Sequence, residues 1–513
     1  MRVFKNTQKK IGEINIAEIK LDKKSKDDIP RLLLGLQHLY SDKEVREKVM
    51  EILMTKLLPK VDKGNGRKGM EMWNIFVLHV LKTGANLDYC RLREYANSHR
   101  EVRAFLGLSF MLEDGAFDLQ TIKNNVGVMT DEIMREINVE VVKQGHKLVS
   151  EKNKKKLKVR GDSFVVKTNV EYPTDIGLLE DAIVTSIRDI SEMANKYDLR
   201  GWRESESAIK KIQKLKFAAQ QSRRAKDKKS EKQDNKPHRK LINYANKIII
   251  KYKNDIIKIS GKIEQALEKT SIGADTKGAA KKENIKKDID KVEKINFFIQ
   301  EGERQLQQME RRIFNGEVIP NNEKIFSLFK PWTEWIVKGK AGVPFELGVR
   351  VAVMEDHNGF ILNHRIMYNE TDEKIAVEFL KDTISLFPNI ESISYDRGFW
   401  NKENLEEITK LVSNVGLPKK GKLTQDDKKR QSSDEYKYAR DKHSAIESAI
   451  NALQHHGLDF CPDYSKQKFG NHISASIVSR NLIKTGDILI TKQQKSLKRK
   501  KYTFAYDHLE KAA

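Results

Sequence analysis

The sequence predicts an α/β protein (α+β overall) in which a mixed-sheet domain is interrupted by a large helical insertion and preceded by an all-helical N-terminal domain. Apolar residues repeat at helical spacing through the first 150 residues, β-branched runs appear near residue 157 and again after residue 344, and the stretch between them has the pattern of long basic helices. The predicted parts are an N-terminal domain (1–150), the first part of the sheet domain (151–175), the insertion (176–325), the rest of the sheet domain (326–480) and a basic tail (481–513).

The N-terminal part is predicted to be helical throughout. Residues 29–40 and 45–53 repeat apolar side chains at helical spacing. Residues 70–81 are apolar on nearly every side but too short to cross a membrane, which is typical of a buried core helix.

Residues 157–167 are rich in β-branched side chains and predict the first strand. A helix then starts near Thr174 or Asp175, either of which is a suitable N-cap. Asp175 is also a conceivable metal ligand, although its position favours the cap. Within the insertion, residues 285–313 predict one long amphipathic helix, whose apolar stripe is typical of a packing seam and a candidate for a dimer contact.

The second half alternates strands and helices. Residues 345–354 and 360–367, joined by the turn at 356–359, predict a β-hairpin. A helix (372–386), a strand (390–396), a helix (403–412), a short strand before Pro418 and a further helix follow. Without the insertion, this is the element order of an RNase H-like mixed-sheet domain.

The composition limits the partners. The net charge of +24 makes a polyanion the leading partner class, against a generic basic protein as the alternative. The two cysteines, Cys90 and Cys461, form no metal-binding motif, so a structural zinc site is not expected. Neither a signal peptide nor a membrane span is expected, and we expect a cytoplasmic, nucleoid-associated location.

Three separated acids carry the chemical prediction. Asp162 and Asp396 are predicted at the ends of strands, and Glu447 on the face of a helix. Each alone could be a surface or turn residue, but together they form the carboxylate set that a two-metal phosphoryl-transfer site needs. Carboxylate oxygens suit Mg²⁺ or Mn²⁺, and two such ions are expected.

Further residues beside these acids are candidates for contact with the substrate. Arg440 and His443 lie seven and four positions before Glu447, which would place all three on one helix face. Arg440 would hold a phosphate; His443 would contact a phosphate or a metal-bound water, or simply support Glu447. Arg397 is a further candidate, and Trp400 would either stack on a base or belong to the core.

These residues resemble an insertion-sequence DDE transposase of the ISNCY-type group, over about residues 32–497. The matching segments are 69–73, 86–89, 166–175, 326–335, 339–342, 395–399 and 443–453. The resemblance implies that Asp162, Asp396 and Glu447 are the catalytic and metal-binding triad. Related transposases carry Tyr, Arg and Lys around the last acid, where this chain has Arg440, His443 and Gln454, so their phosphate-handling roles do not transfer.

The resemblance implies a transposase that binds the terminal repeats of its own element, hydrolyses the 3′ phosphodiester and joins the freed 3′-OH to target DNA. Double-stranded DNA is then the partner, and a homodimer or larger assembly is expected because two ends must be cut. The N-terminal helices are expected to recognise the ends. Residues 210–240, with 13 Lys/Arg against 3 Asp/Glu, and 492–501, with six basic residues, would contact the backbone unless they are solvated arms. The rivals are a nuclease that never joins, a non-catalytic DNA-binding regulator and, more weakly, an RNA-binding protein.

Overall fold

The computed structural model describes residues 14–57, 69–108, 116–149, 156–224, 235–270, 276–337 and 344–510. The protein is a mixed α/β protein, as predicted. It divides into two compact units: Met1–Asn169 together with Glu334–Ala513, and Val170–Thr333. The second unit therefore corresponds closely to the predicted insertion.

The N-terminal region is helical. Its helices are α1 (Asp28–Ser41), α2 (Lys43–Lys56), α3 (Met72–Gly84), α4 (Tyr89–Ser98), α5 (Arg100–Phe105), α6 (Leu119–Val126) and α7 (Asp131–Lys147). Acidic or hydroxyl side chains cap most of them; Asp88, for example, accepts a hydrogen bond from the first turn of α4. Every residue of α3 is buried, which confirms the predicted core helix.

The described residues form a seven-stranded sheet. Its strands are β1 (Leu157–Thr168), β2 (Glu334–Val337), β3 (Phe345–Asp356), β4 (Ile361–Met367), β5 (Ile390–Tyr395), β6 (Asn414–Gly416) and β7 (Phe460–Cys461). β1 is central: it pairs antiparallel with β3 on one side and parallel with β5 and β7 on the other. β3 also pairs antiparallel with β2 and β4, and β5 pairs parallel with β6. The predicted hairpin is confirmed as β3 and β4.

Six further α-helices belong to the described part of this unit. They are α12 (Asp372–Leu386), α13 (Lys402–Leu411), α14 (Gln425–Ser432), α15 (Asp434–Arg440), α16 (Ala445–Leu453) and α17 (Lys466–Glu510); in the numbering used here α8–α11 belong to the other unit. The predicted strands and helices between 372 and 416 are confirmed to within two residues. The predicted tail differs: residue 481 lies inside α17, and Asn481 and Leu482 are buried.

The N-terminal helices share this unit with the sheet. Asn138 of α7 donates to the backbone of Ile361 in β4 over 3.0 Å. Ser479 of α17 donates to the carbonyl of Val80 in α3 over 2.8 Å. Gly35 permits close approach of α1 and α17, since a Cβ there would lie 2.2 Å from the carbonyl oxygen of Leu482. Helix α17 thus packs between the N-terminal helices and the sheet.

The unit Val170–Thr333 is helical in its described part. It contains α8 (Asp175–Lys196), α9 (Ser205–Arg224), α10 (Lys236–Thr270) and α11 (Thr276–Phe314), packed around one apolar core. The single long helix predicted at 285–313 is confirmed as α11. Thr174 is the N-cap of α8, and Asp175 pairs with Arg312 over 2.6 Å, so the cap interpretation of this region is correct.

Across the described ranges, no helix combines the length and apolarity that crossing a bilayer requires.

Candidate carboxylate site

The parallel pairing of β1 with β5 aligns two of the predicted acids. The last paired residues are Gly161 and Tyr395. Asp162 and Asp396 follow them directly in the chain. Gly161 is needed for this approach, because a Cβ there would lie 2.2 Å from the ring of Tyr395. Tyr395 is fully buried and its hydroxyl donates to the carbonyl of Ala376 over 3.0 Å, so the ring cannot move aside cheaply.

The prediction that both aspartates end strands is half wrong. Asp396 directly follows β5, but Asp162 lies in the middle of β1. β1 continues because its other edge stays paired with β3 as far as Lys167. β5 ends before β1 does, and so Asp162 has no β5 residue paired beside it.

A fourth acid, Asp372, lies beside this pair and was not predicted. The hydroxyl of Ser163 donates to Asp372 Oδ1 over 2.6 Å. Gly398 leaves room for the carboxylate, since a Cβ there would lie 2.9 Å from Asp372 Oδ2. Asp372 is the first residue of α12, where an acid is common for its interaction with the helix dipole, and so its sequence position carries no signal of a site.

The charges of these residues act on one another. Burial and, after it, the negative charges of Asp396, Asp372 and Glu447 together raise the pKa of Asp162 to about 7. Glu447 lies in the first turn of α16 and is exposed. Asp162, Asp372, Asp396 and Glu447, called the carboxylate site below, therefore form one electrostatic group.

The carboxylate oxygens are not drawn tightly together. Among the described residues, two groups of three donor residues have donor atoms within 4.8 Å of one another, and neither includes the predicted triad. Asp162 Oδ1 accepts from the backbone amide of Ser163 over 2.7 Å. Mutual repulsion of like charges favours this open arrangement of the four side chains. The donor set itself, four carboxylates with solvent access, suits Mg²⁺ or Mn²⁺.

His443 holds the side chain of Asp396. Its Nε2 lies 2.9 Å from Asp396 Oδ1, and its Nδ1 is hydrogen-bonded to the hydroxyl of Ser394 on β5. An ionised carboxylate only accepts, so Nε2 carries the proton and, in the neutral ring, Nδ1 accepts from Ser394. His443 is 8% exposed. It therefore fixes the orientation of Asp396.

The prediction that Arg440, His443 and Glu447 share one helix face is wrong. Helix α15 ends at Arg440 and α16 begins at Ala445, with Lys442 between them in the left-handed region at φ 55°. In the structure His443 is hydrogen-bonded to Asp396 and Ser394 rather than to Glu447, and its predicted contact with a phosphate or a metal-bound water stays a prediction.

Arg160 of β1 fixes the break between these helices. Its guanidinium donates to the carbonyl of Lys442 over 2.9 Å and lies 3.5 Å from Glu355. Arg480 approaches the same Glu355 from α17 at 3.3 Å. A buried ion-pair network thus holds the turn that presents His443.

The remaining predicted substrate contacts differ in exposure. Arg440 donates to the carbonyl of Tyr395 over 2.8 Å and packs on Gly416, so it ties α15 to the sheet. Arg397 is exposed immediately after Asp396. Trp400 is partly buried against the core of the sheet, in agreement with the core alternative. Arg397 is the most exposed of these three, while Arg440 and Trp400 are partly buried.

Comparisons of this chain with protein-family models, with curated proteins and with solved structures found no match.

Proposed function

We propose that this chain is a DNA transposase that cuts DNA at the ends of its own element and joins the 3′ ends to target DNA. The observation that carries the proposal is the placement of Asp162 and Asp396 side by side after the last β1–β5 pair, within one electrostatic group that includes Glu447. Clustered acids with a raised pKa are typical of functional sites, since their repulsion costs stability unless a ligand offsets it.

The sheet supports the same proposal. Five of the strands follow the order β4-β3-β1-β5-β6, in which β3 is antiparallel to both β4 and β1, and β5 and β6 are parallel to β1; this is the order that an RNase H-like domain would have. The helical unit Val170–Thr333 then interrupts this domain between its first two strands. An RNase H-like catalytic domain with a helical insertion is thus our proposed assignment.

Asp162, Asp396 and Glu447 would hold two Mg²⁺ or Mn²⁺ ions, with Asp372 as a further ligand or a support. Bound there, the ions would activate the attacking oxygen and stabilise the leaving 3′ oxygen of a phosphodiester. The protein's own part is to position these acids: Ser394 and His443 orient Asp396, and the register of β1 with β5 sets its separation from Asp162.

Basic surfaces would bind the DNA backbone. Lys210, Lys211 and Lys214 are exposed on α9, while residues 225–234 of the predicted basic segment lie outside the described residues. Lys492 and Lys495 are exposed on α17, whereas the side chains of residues 498–501 are outside the described part of the chain. Phosphate contacts of this kind position DNA without reading sequence, and their affinity falls with salt.

The test is a cleavage and joining assay with Mg²⁺ or Mn²⁺ and labelled DNA that carries the sequences flanking the gene. We expect the wild type to cleave and to join, and Asp162→Ala, Asp396→Ala and Glu447→Ala to bind DNA without doing either. Cleavage without joining would favour the nuclease, and DNA binding without cleavage by the wild type would favour the regulator.

The assembly is tested on the same DNA. Because two ends must be cut, we expect at least two protomers on a pair of ends in light scattering. One protomer for two ends would contradict a dimeric active complex.

A further inference from the structure

Cys461, Asp463 and His472 form a compact cluster away from the carboxylate site. Cys461 ends β7, Asp463 follows two residues later, and His472 lies in the second turn of α17. One donor atom from each lies within 4.8 Å of the other two, and His472 Nδ1 is 3.9 Å from Asp463 Oδ2. The donors of a tetrahedral Zn²⁺ ion lie about 3.3–3.6 Å apart, given its bond lengths. Small side-chain rotations would close the difference.

The imidazole of His472 is oriented as a metal ligand. Its Nε2 donates to the carbonyl of Gly457 over 2.8 Å, which leaves the lone pair on Nδ1 facing Asp463. His472 is 5% exposed, and Nδ1 has no hydrogen-bond partner among the described residues. Ligating histidines usually donate their second nitrogen to a carbonyl or a carboxylate in this way. A buried acceptor without a donor is costly, and a cation would satisfy it.

Burial and a neighbouring charge favour the unprotonated ring of His472. Burial lowers its pKa, and the nearby Lys82 lowers it further. The carboxyl group of Asp463 also lies near Tyr89, where burial and then Asp463 together raise the pKa of the phenol to about 12. The positive charge of Lys82 repels a cation. A thiolate at Cys461 and a carboxylate at Asp463 would together carry two negative charges, which match the charge of a divalent ion.

We propose that Cys461, Asp463 and His472 bind one Zn²⁺ ion, with water as the fourth ligand. A sulfur, nitrogen and oxygen set selects a thiophilic transition metal over Mg²⁺. Binding converts the thiol of Cys461 to a thiolate and releases its proton to solvent. Asp463 and Gly457 line an adjoining cavity of about 480 Å³.

Such an ion would connect three segments. Cys461 pairs with Thr168 at the end of β1, His472 belongs to α17, and Gly457 follows the helix that carries Glu447. The ion would anchor the chain immediately after that helix. The site is structural in this sense, and it does not depend on the proposed DNA chemistry.

Metal-free full-length protein is titrated with Co²⁺, whose thiolate complexes have a near-ultraviolet charge-transfer band. We expect one equivalent to produce this band, Cys461→Ser to lose it, and the matched control Cys90→Ser to keep it, since Cys90 is the only other cysteine and is exposed. The cluster of Asp28, His455 and His456 has no thiol and cannot give the band. No thiolate band in the wild type, or a band that depends on Cys90, would overturn the proposal.

If Cys461→Ser fails to fold, Asp463→Asn provides a second test. This variant should fold, because Asp463 is partly exposed and the change is nearly isosteric. We expect the band to persist while the affinity for Co²⁺ and Zn²⁺ falls at least tenfold. Unchanged affinity would contradict a three-ligand site. Asp162→Asn should bind Co²⁺ at the thiolate as the wild type does, so failure of the DNA chemistry and failure of this metal site are distinguishable.

Discussion

The carboxylate site and the Cys461 cluster lie along the same edge of β1 but have opposite character. Asp162 adjoins the pairing with β5, and Cys461 pairs with Thr168 farther along the strand. The side chain of Asp396 is 57% exposed and adds to the negative charge around Asp162, whereas His472 is buried. An exposed site of hard oxygens suits ions that exchange with solvent and meet a substrate, whereas a more buried site with a thiolate and an imidazole among its ligands suits an ion that is held more tightly.

The largest expected effect separates chemistry from structure. We expect Asp162→Asn and Glu447→Gln to reduce DNA cleavage by about 1,000-fold or more, because each removes a negative ligand from the metal-binding set. Cys461→Ser should cleave at near the wild-type rate at low temperature but unfold at a lower temperature. Initial rates and thermal melts of the same preparations measure both effects. Equal losses of rate in all three variants would remove the distinction between the sites.

The second prediction concerns pH in metal-free protein. The pKa of Asp162 is raised to about 7 in the folded state from 3.8 when unfolded, so the folded state holds the extra proton between those values and stability falls as pH rises through this window. Asp162→Asn should remove this loss, and the variant should exceed the wild type by up to about 4 kcal/mol above pH 7, at 1.36 kcal/mol per pKa unit. Below pH 3.8 the two should converge.

Urea unfolding of both proteins across this pH range measures the difference. Saturating Mg²⁺ is the control, since a bound cation stabilises the ionised wild type and should reverse the order. A pH-independent difference between the proteins would show that Asp162 is not crowded by charge.

The third prediction tests how Asp396 is held. His443→Ala removes the donor to Asp396, whereas His443→Gln retains an N–H that can reach it. We expect the alanine variant to lose about 10–100-fold in Mg²⁺ affinity, as is typical when a group behind a ligand is removed, and the glutamine variant to recover part of it. Cleavage rates measured against Mg²⁺ concentration separate the two. If excess Mg²⁺ does not rescue His443→Ala at all, His443 acts on the substrate rather than through Asp396.

The two sites also show how far the sequence could predict this protein. Asp162 lies within one strongly patterned strand and Asp396 directly follows another, and so the two strands and the proximity of these acids could be predicted, although the end of β1 could not. Asp372 could not, because an acid at the start of a helix is ordinary, and only the Ser163 contact places it near the site.

The expectation of no structural zinc site rested on the absence of a local cysteine motif. The proposed Zn²⁺ site opposes it, because folding brings Cys461 next to His472 from eleven positions away (472 − 461). The broken helix between Arg440 and Ala445 was missed for a similar reason. Lys442 has no sequence signal for a positive φ, and a distant residue, Arg160, holds that turn.

The smallest expected effect comes from a substitution at Gly161, which should disturb the carboxylate site and leave the Cys461 cluster unchanged. Gly161→Ala forces a Cβ against the buried ring of Tyr395, and overpacking of this kind costs about 1–3 kcal/mol. Because β1 must move away from β5, Asp162 and Asp396 should separate and DNA cleavage should fall. Thr168 is seven positions farther along β1 (168 − 161), so the Co²⁺ band at Cys461 should persist.

Gly261→Ala is the matched control, since a Cβ there meets nothing within 4 Å in the middle of a helix, and the change should be neutral or stabilising by up to about 1 kcal/mol. Urea unfolding, the cleavage rate and the Co²⁺ band are measured for each variant. Loss of both cleavage and the Co²⁺ band in Gly161→Ala would mean that β1 responds as one rigid element. The sites would then be coupled through the strand rather than independent along it.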